Sequence, residues 1–178
     1  MRVVVLAAVA AFLFMPGFTD AAAGADPCSR WGDTKPRQLT TKHARNAVIC
    51  LINKARDANG RRRDLRLDSR LQEAARKHSN RMASRSCFSH QCRGEANTLE
   101  RLRKSGYIHG GLSRWGYGEN IFWGRRSRGT PRQAVRAWMG SPPHRANILS
   151  GSFNDIGAGF AHNGSRAYYT ADFGYRSG

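Results

Sequence analysis

Beyond residue 25 this chain has no long apolar run, so no later segment is suited to act as a membrane anchor. Internal repeats and low-complexity tracts are absent, and no recognisable nucleic-acid module is present. The G-x-S-x-G nucleophile elbow is missing too. Ser141 lies three residues before His144, but Gly140-Ser141-Pro142-Pro143 is a different pattern and argues against serine-hydrolase chemistry. Acidic residues are scarce: 12 Asp and Glu stand against 30 Lys and Arg, for a formal net charge of +18. Such a field attracts polyanions, either cell-wall polymers or an anionic lipid surface. The excess is largely arginine, with clusters at Arg61-Arg62-Arg63 and Arg125-Arg126-Ser127-Arg128. A solvated basic surface that merely keeps the protein soluble is the plain alternative.

The one apolar run, Val3 to Phe14, follows Met1-Arg2 and ends at Pro16-Gly17. Small residues Ala21-Ala22-Ala23 and Ala23-Gly24-Ala25 come next, as at a signal-peptidase site. Residues 1–25 are therefore expected to be a secretory signal peptide, and the protein to be secreted. Four cysteines follow, Cys28, Cys50, Cys87 and Cys92, an even number suited to an oxidising compartment. They allow three pairings. Proximity favours Cys28 with Cys50 and Cys87 with Cys92, whose loop contains His90. A rival reading makes Cys87, His90 and Cys92 zinc ligands, at a spacing that fits no common zinc motif.

About 150 residues remain, enough for one domain with one core. Residues 26–41 are polar, contain Pro27 and Pro36, and read as an irregular N-terminal extension ahead of a domain over 42–178. Val48, Leu51, Ile52 and Ala55 keep helical spacing up to Asn59-Gly60. Asp68 or Ser69 can cap a second helix, and Ser69 with Gln72 matches a capping box. Its apolar stripe runs through Leu71, Ala74, Ala75, His78 and Met82, which makes His78 a packing histidine rather than a ligand. A short helix fits Ala96 to Lys104. Residues 109–129, rich in Gly, Trp and Arg, read as a long loop with an extended piece at 120–123. Thr130-Pro131 opens a further helix that Ser141-Pro142-Pro143 breaks. A hairpin through Asn163-Gly164 closes the chain. With helices first and strands late, the pattern predicts an α+β domain.

Three short pieces place proton-transferring or metal-binding side chains at element boundaries: Phe88-Ser89-His90, Gly118-Glu119-Asn120 and His144-Arg145-Ala146-Asn147-Ile148-Leu149. Two imidazoles and a carboxylate that converge can hold a divalent metal or move protons near neutral pH. Asp155 and His109 are further candidates without a clear place. Trp115 and Trp123 flank Glu119 and suit either a sugar- or lipid-binding wall or simple packing of the loop.

These pieces occur in order with Leu71-x2-Ala74-x3-His78-x3-Met82, Gly106-Tyr107, Trp138-x2-Ser141 and Ile156-Gly157-x-Gly159. Together, over about residues 46–174, they resemble the CAP superfamily, the SCP-like extracellular domain, in its bacterial form. The resemblance implies a three-layer α-β-α sandwich with a central, mainly antiparallel sheet. It also implies a cleft with two histidines, matched by His90 and His144, and a carboxylate, matched by Glu119. Asn120, Ser141 and Trp123 would line it. In several members such a cleft binds a divalent metal, often zinc. The family's second glutamate falls at Ser141, which leaves the site one carboxylate short. Three functions follow as expectations. The first is a non-catalytic module whose cleft binds metal or a lipid, glycan or cell-wall fragment. The second is a metal-dependent hydrolase with His90 and His144 as ligands and Glu119 activating water. The third is a cationic adhesion or defence protein.

Overall fold

A computed structural model describes residues 26–61 and 63–178, so the expected signal peptide over 1–25 lies outside the described residues. The helices are α1 (Pro27–Trp31), α2 (Thr41–Ala58), α3 (Ser69–Arg85), α4 (Thr98–Lys104), α5 (Pro131–Gly140) and α6 (Pro142–Leu149). The strands are β1 (Arg66–Leu67), β2 (Arg114–Arg125), β3 (Asp155–Asn163) and β4 (Arg166–Ser177). They form one sheet in the order β1-β3-β4-β2, with β1 parallel to β3 and every other pair antiparallel.

Strand alternation divides the core. Ile156, Ala158 and Phe160 of β3, with Ala167, Tyr169, Ala171 and Phe173 of β4, point to the layer of α2, α5 and α6. The opposite face meets α3 and α4, so the domain is a three-layer α-β-α sandwich. Thr40 caps α2 by accepting from the His43 amide at 3.1 Å, and Val48, Leu51 and Ile52 supply its buried stripe. Leu71, Ala74, Ala75, His78 and Met82 do the same for α3.

The motif Ile156-Gly157-x-Gly159 has a direct packing cause. A Cβ at Gly157 would come within 2.1 Å of the Leu71 carbonyl carbon, and one at Gly159 within 2.0 Å of the Ala75 carbonyl oxygen. Helix α3 therefore lies backbone to backbone on β3. Gln72 is drawn into the same contact, donating to the Ala158 carbonyl at 2.9 Å and accepting from its amide at 3.1 Å. The expected capping box is thus replaced. Asp68 caps α3 by accepting from the Arg70 and Leu71 amides.

Several boundaries differ from the sequence reading. The segment expected as a loop over 109–129 holds a twelve-residue strand, β2, at the sheet edge. Its glycines hide the alternation because they sit where neighbours press in: a Cβ at Gly118 would meet the Asn147 carboxamide oxygen at 2.7 Å. Ser141 ends α5, and the two prolines after it begin α6 instead of a loop. The short helix starts two residues later than expected, at Thr98, capped by Asn97. Residues 26–41 are less irregular than expected: α1 and a 3₁₀ turn at Pro36–Gln38 are tied to α2 by the Cys28–Cys50 disulfide and by Lys54 to Asp26 at 2.7 Å. Cys87 pairs with Cys92, and no described cysteine is free.

The outer edge of β2 carries no further strand. Trp138 of α5 donates its indole N–H to the Ile121 carbonyl at 2.9 Å, and Asn147 of α6 reaches the Glu119 carbonyl at 3.5 Å. Among the described residues no helix is long and apolar enough to cross a membrane.

Candidate functional site

The site forms where the α3/α4 layer and the α5/α6 layer meet across the β2 edge. Glu119 is near the middle of β2, not in a turn, and its side chain faces the α3/α4 layer with 9% of the residue exposed. His90 lies between α3 and α4, inside the ring closed by Cys87–Cys92, and its Nδ1 is 2.7 Å from Glu119 Oε1. Thr98 Oγ1 donates to the same oxygen at 3.0 Å. Arg101 donates to the other carboxylate oxygen, and also to the carbonyls of His90 and Ala96 at 2.9 Å each. One guanidinium thus fixes both the carboxylate and the loop that carries His90.

Burial on its own would push the Glu119 carboxyl up. The His90 hydrogen bond and the charges of Arg101 and His78 outweigh it and hold the group well below the ordinary carboxylate range. Oε1 takes two donors, and Oε2 is ion-paired with Arg101. A carboxylate so placed is a weak proton acceptor, because protonation would break an ion pair in a dry setting.

Behind this pair lies a second tier that the sequence reading does not contain. Asp172 of β4 is fully buried directly across the ladder from Glu119, and among the described residues neither of its oxygens has a donor. Burial, then the Glu119 charge, raise its carboxyl well above the usual range despite Arg101. The neutral acid is the form that fits, since its proton faces an acceptor in Glu119. His78 is fully buried as a packing residue, and its Nδ1 lies 3.0 Å from both Glu95 carboxylate oxygens.

His144 approaches from the other layer. It stands in the first turn of α6, not in a turn before it. Ser141 makes no cap to a backbone amide there. Its hydroxyl instead lies 2.9 Å from His144 Nδ1, so the residue at the family's second glutamate position orients the imidazole. Asn120 donates to the His144 carbonyl at 3.0 Å and accepts from Asn147 at 2.8 Å. Buried Arg56 of α2 donates to the carbonyls of Ile148 at 2.6 Å and Ser150 at 3.0 Å, fixing the far end of α6. Burial, and then the His90 charge, lower the His144 pKa.

Each histidine uses Nδ1 on a protein partner, while among the described residues Nε2 makes no hydrogen bond. This is the arrangement by which second-shell groups aim imidazole ligands. The donor set fits a divalent cation only through two nitrogens, with other positions left to water or a ligand, because Glu119 is already engaged. Two protein ligands fall short of the three usual in catalytic zinc sites. Among the described residues the one group of three ligand atoms mutually within 4.8 Å is Asp26, Cys28 and Cys50. Its two sulfurs are joined in a disulfide, which removes them as thiolate ligands.

The other candidates fall elsewhere. Asp155 accepts from the Tyr107 hydroxyl at 3.0 Å, and its strand β3 is separated from β2 by β4. Exposed His109 contacts the Gly110 carbonyl. Trp115 stacks on Tyr117, with ring centroids 6.3 Å apart. Trp123, four residues along β2 from Glu119 and so about 13 Å away, lines a separate cavity of about 610 Å³ with Phe122, Arg125, Arg128 and Arg136.

The cysteine-rich secretory protein family, CAP, matches residues 50–173. The uncharacterised protein YkwD of Bacillus subtilis is 32% identical over 152 residues, covering 82% of this chain. The chain spans 56% of that relative's length. Among solved structures, an SCP-domain extracellular protein from Bacillus anthracis superposes with a TM-score of 0.63 at 25% identity, over 78% of this chain and 42% of that one. An outer surface protein from Borrelia burgdorferi gives 0.65 at 17% identity, over 78% and 97%. A venom allergen-like protein from Schistosoma mansoni gives 0.53 at 14%, over 76% and 90%, which is likeness of fold alone. With the profile match spanning more than two thirds of its length, the chain belongs to the CAP superfamily of cysteine-rich secretory proteins, in its bacterial form.

Proposed function

We propose that this protein is a secreted, non-catalytic binding domain. Its cleft would hold a divalent cation, such as zinc, or a small ligand through the Nε2 atoms of His90 and His144. Residues 1–25 would serve as the export signal, residues 26–41 as an extension and residues 42–178 as the domain. Two disulfides support an oxidising destination, as do the words extracellular and outer surface in the descriptions of structural relatives.

The observation that carries the reading is the ion pair and hydrogen bonding that engage both oxygens of Glu119. Its oxygens accept from His90, Thr98 and Arg101, and its charge is stabilised rather than poised. A water-activating base needs a pKa near the working pH, and that of Glu119 is held well below it. Glu119 orients His90 instead, as Ser141 orients His144. A bound cation would supply Lewis acidity there; the chain's residues would only aim ligands and keep the carboxylate charged.

Calorimetric zinc titration of the protein beside the His90→Ala/His144→Ala double variant tests this. One-to-one binding lost in a cooperatively folded double variant is the expected result. Retained binding would overturn the assignment. Peptide hydrolysis abolished by Glu119→Gln with zinc affinity unchanged would establish the hydrolase instead.

A further inference from the structure

The hairpin end of the sheet carries three adjoining cavities that belong to no part of the histidine cleft. The first, about 610 Å³, is walled by Trp123, Arg125, Arg128 and Arg136. Arg125 also walls the second, about 420 Å³, with Ser86, Asn163 and Arg166. Ser165 joins that to the third, about 390 Å³, where Lys35, Arg37 and Arg126 stand. The backbone at Arg126 has φ +52°, a left-handed conformation costly for a side-chain-bearing residue. That reversal, held by the Arg126 amide on the Ser165 carbonyl at 2.9 Å, sends Arg125 to the first two cavities and Arg126 to the third.

Clustering of cations beside an exposed indole separates this surface from an ordinary basic face. None of the residues lining the three cavities is acidic. Lys54, Arg76, Arg101, Arg103, Arg132 and Arg176 have carboxylate partners, whereas Arg61, Arg70 and Arg93, scattered elsewhere, have none among the described residues. The seven cations of these cavities also have none among the described residues. Beside them Trp123 is 43% exposed; Arg166 stacks over it at 4.9 Å and Phe88 packs edge-on at 6.4 Å, so the ring is held in place while open to solvent.

We propose that these connected cavities form a binding groove for an anionic polysaccharide chain. Arginine forks would take its carboxylate, phosphate or sulfate groups, and Trp123 would stack on a sugar ring. Cavities that share Arg125 and then Ser165 suit a polymer that presents several anionic groups in succession. Two formed disulfides suit an oxidising compartment, where glycans are abundant polyanions. No described helix has the long apolar stretch of a membrane span. This site is independent of the histidine cleft and stands or falls apart from it.

The test uses a size-defined oligogalacturonate, with polyglutamate of equal charge, single-stranded DNA and phosphatidylglycerol vesicles as competitors, read by tryptophan fluorescence and calorimetry. Arg125→Ala/Arg128→Ala/Arg136→Ala should weaken oligogalacturonate binding about tenfold or more. Arg61→Ala/Arg70→Ala/Arg93→Ala, an equal charge loss on exposed residues elsewhere, should weaken it far less. Trp123→Thr, which keeps strand propensity, should weaken oligogalacturonate but not polyglutamate; Trp123→Phe serves if the threonine variant is misfolded. Equal losses in both triple variants would overturn the groove in favour of a diffuse field. An equal effect of Trp123→Thr on both polymers would remove sugar recognition. Tighter binding to DNA or vesicles than to the oligosaccharide would overturn the ligand class.

Discussion

Glu119 on β2 and Asp172 on β4 are direct partners in the strand ladder, so two carboxyl groups share one buried face of the sheet. Their environments split them. Donors from His90, Thr98 and Arg101 keep Glu119 ionised, while Asp172, without a donor among the described residues, is left to carry the proton.

The split fixes a pH dependence. Folding raises the Asp172 pKa above its unfolded value of 3.8, so its stabilising contribution is whole below that pH and is lost as pH rises toward the folded value. Glu119 behaves oppositely, contributing above 4.5 and failing only as pH falls through its depressed folded value. Asp172→Asn stays neutral throughout and still offers Glu119 a donor. Thermal melts should show the variant level with wild type near pH 4 and more stable at pH 7, by on the order of a few degrees in Tm. Parallel curves for the two proteins would refute the buried neutral acid.

Arg101→Met should be among the most damaging single changes. It leaves Glu119 buried with its charge uncompensated and frees the His90 and Ala96 carbonyls, at a cost of about 3–5 kcal/mol. Adding Glu119→Gln should recover part of that loss. A double-mutant cycle by chemical denaturation measures the coupling, and additive effects would show that the pair does not interact.

His144 should titrate below 6.5, because burial and the His90 charge both oppose its protonation. It therefore keeps a neutral, ligating Nε2 at pH values where a free histidine is already charged. NMR of the ring protons reads the midpoint. In His90→Ala it should move upward, and an unchanged midpoint would place the two rings too far apart to share a ligand.

Two glycines at different depths should respond oppositely. Gly159→Ala forces a methyl against the Ala75 carbonyl and should cost about 2 kcal/mol or more. Gly140, the last residue of α5, has open space where a methyl would stand, so Gly140→Ala should be neutral or stabilise by about 0.5–1 kcal/mol. Urea denaturation compares them. Equal effects would contradict the direct seating of α3 on β3.

Periodicity locates α2, α3 and α5 because each presents a regular buried stripe. It fails on β2, where Gly116, Gly118 and Gly124 replace the side chains that would alternate, each because a neighbour occupies the Cβ position. The motifs single out His90, Glu119 and His144, but not what holds them. In Thr98-Leu99-Glu100-Arg101-Leu102-Arg103-Lys104, Arg101 reads as one more cation on a solvated face; only the fold turns it inward. Asp172 left a readable trace, as the lone carboxylate in the apolar run Ala167 to Phe173. Ser141 illustrates the reverse. Its departure from the family's glutamate reads as a missing group, yet it supplies the hydrogen bond that sets the ring of His144.

The indole of Trp138 and the carboxamide of Asn147 have a consequence beyond the site. By occupying outward carbonyls of β2, they deny a neighbouring chain the unpaired acceptors needed to extend the sheet. The exposed strand that carries the candidate site is thereby guarded against intermolecular pairing by the same two helices that form one wall of the cleft. Loosening α6 to widen that cleft would leave the Glu119 carbonyl free to accept from a neighbouring strand, so the same packing that shapes the cleft also shields the edge.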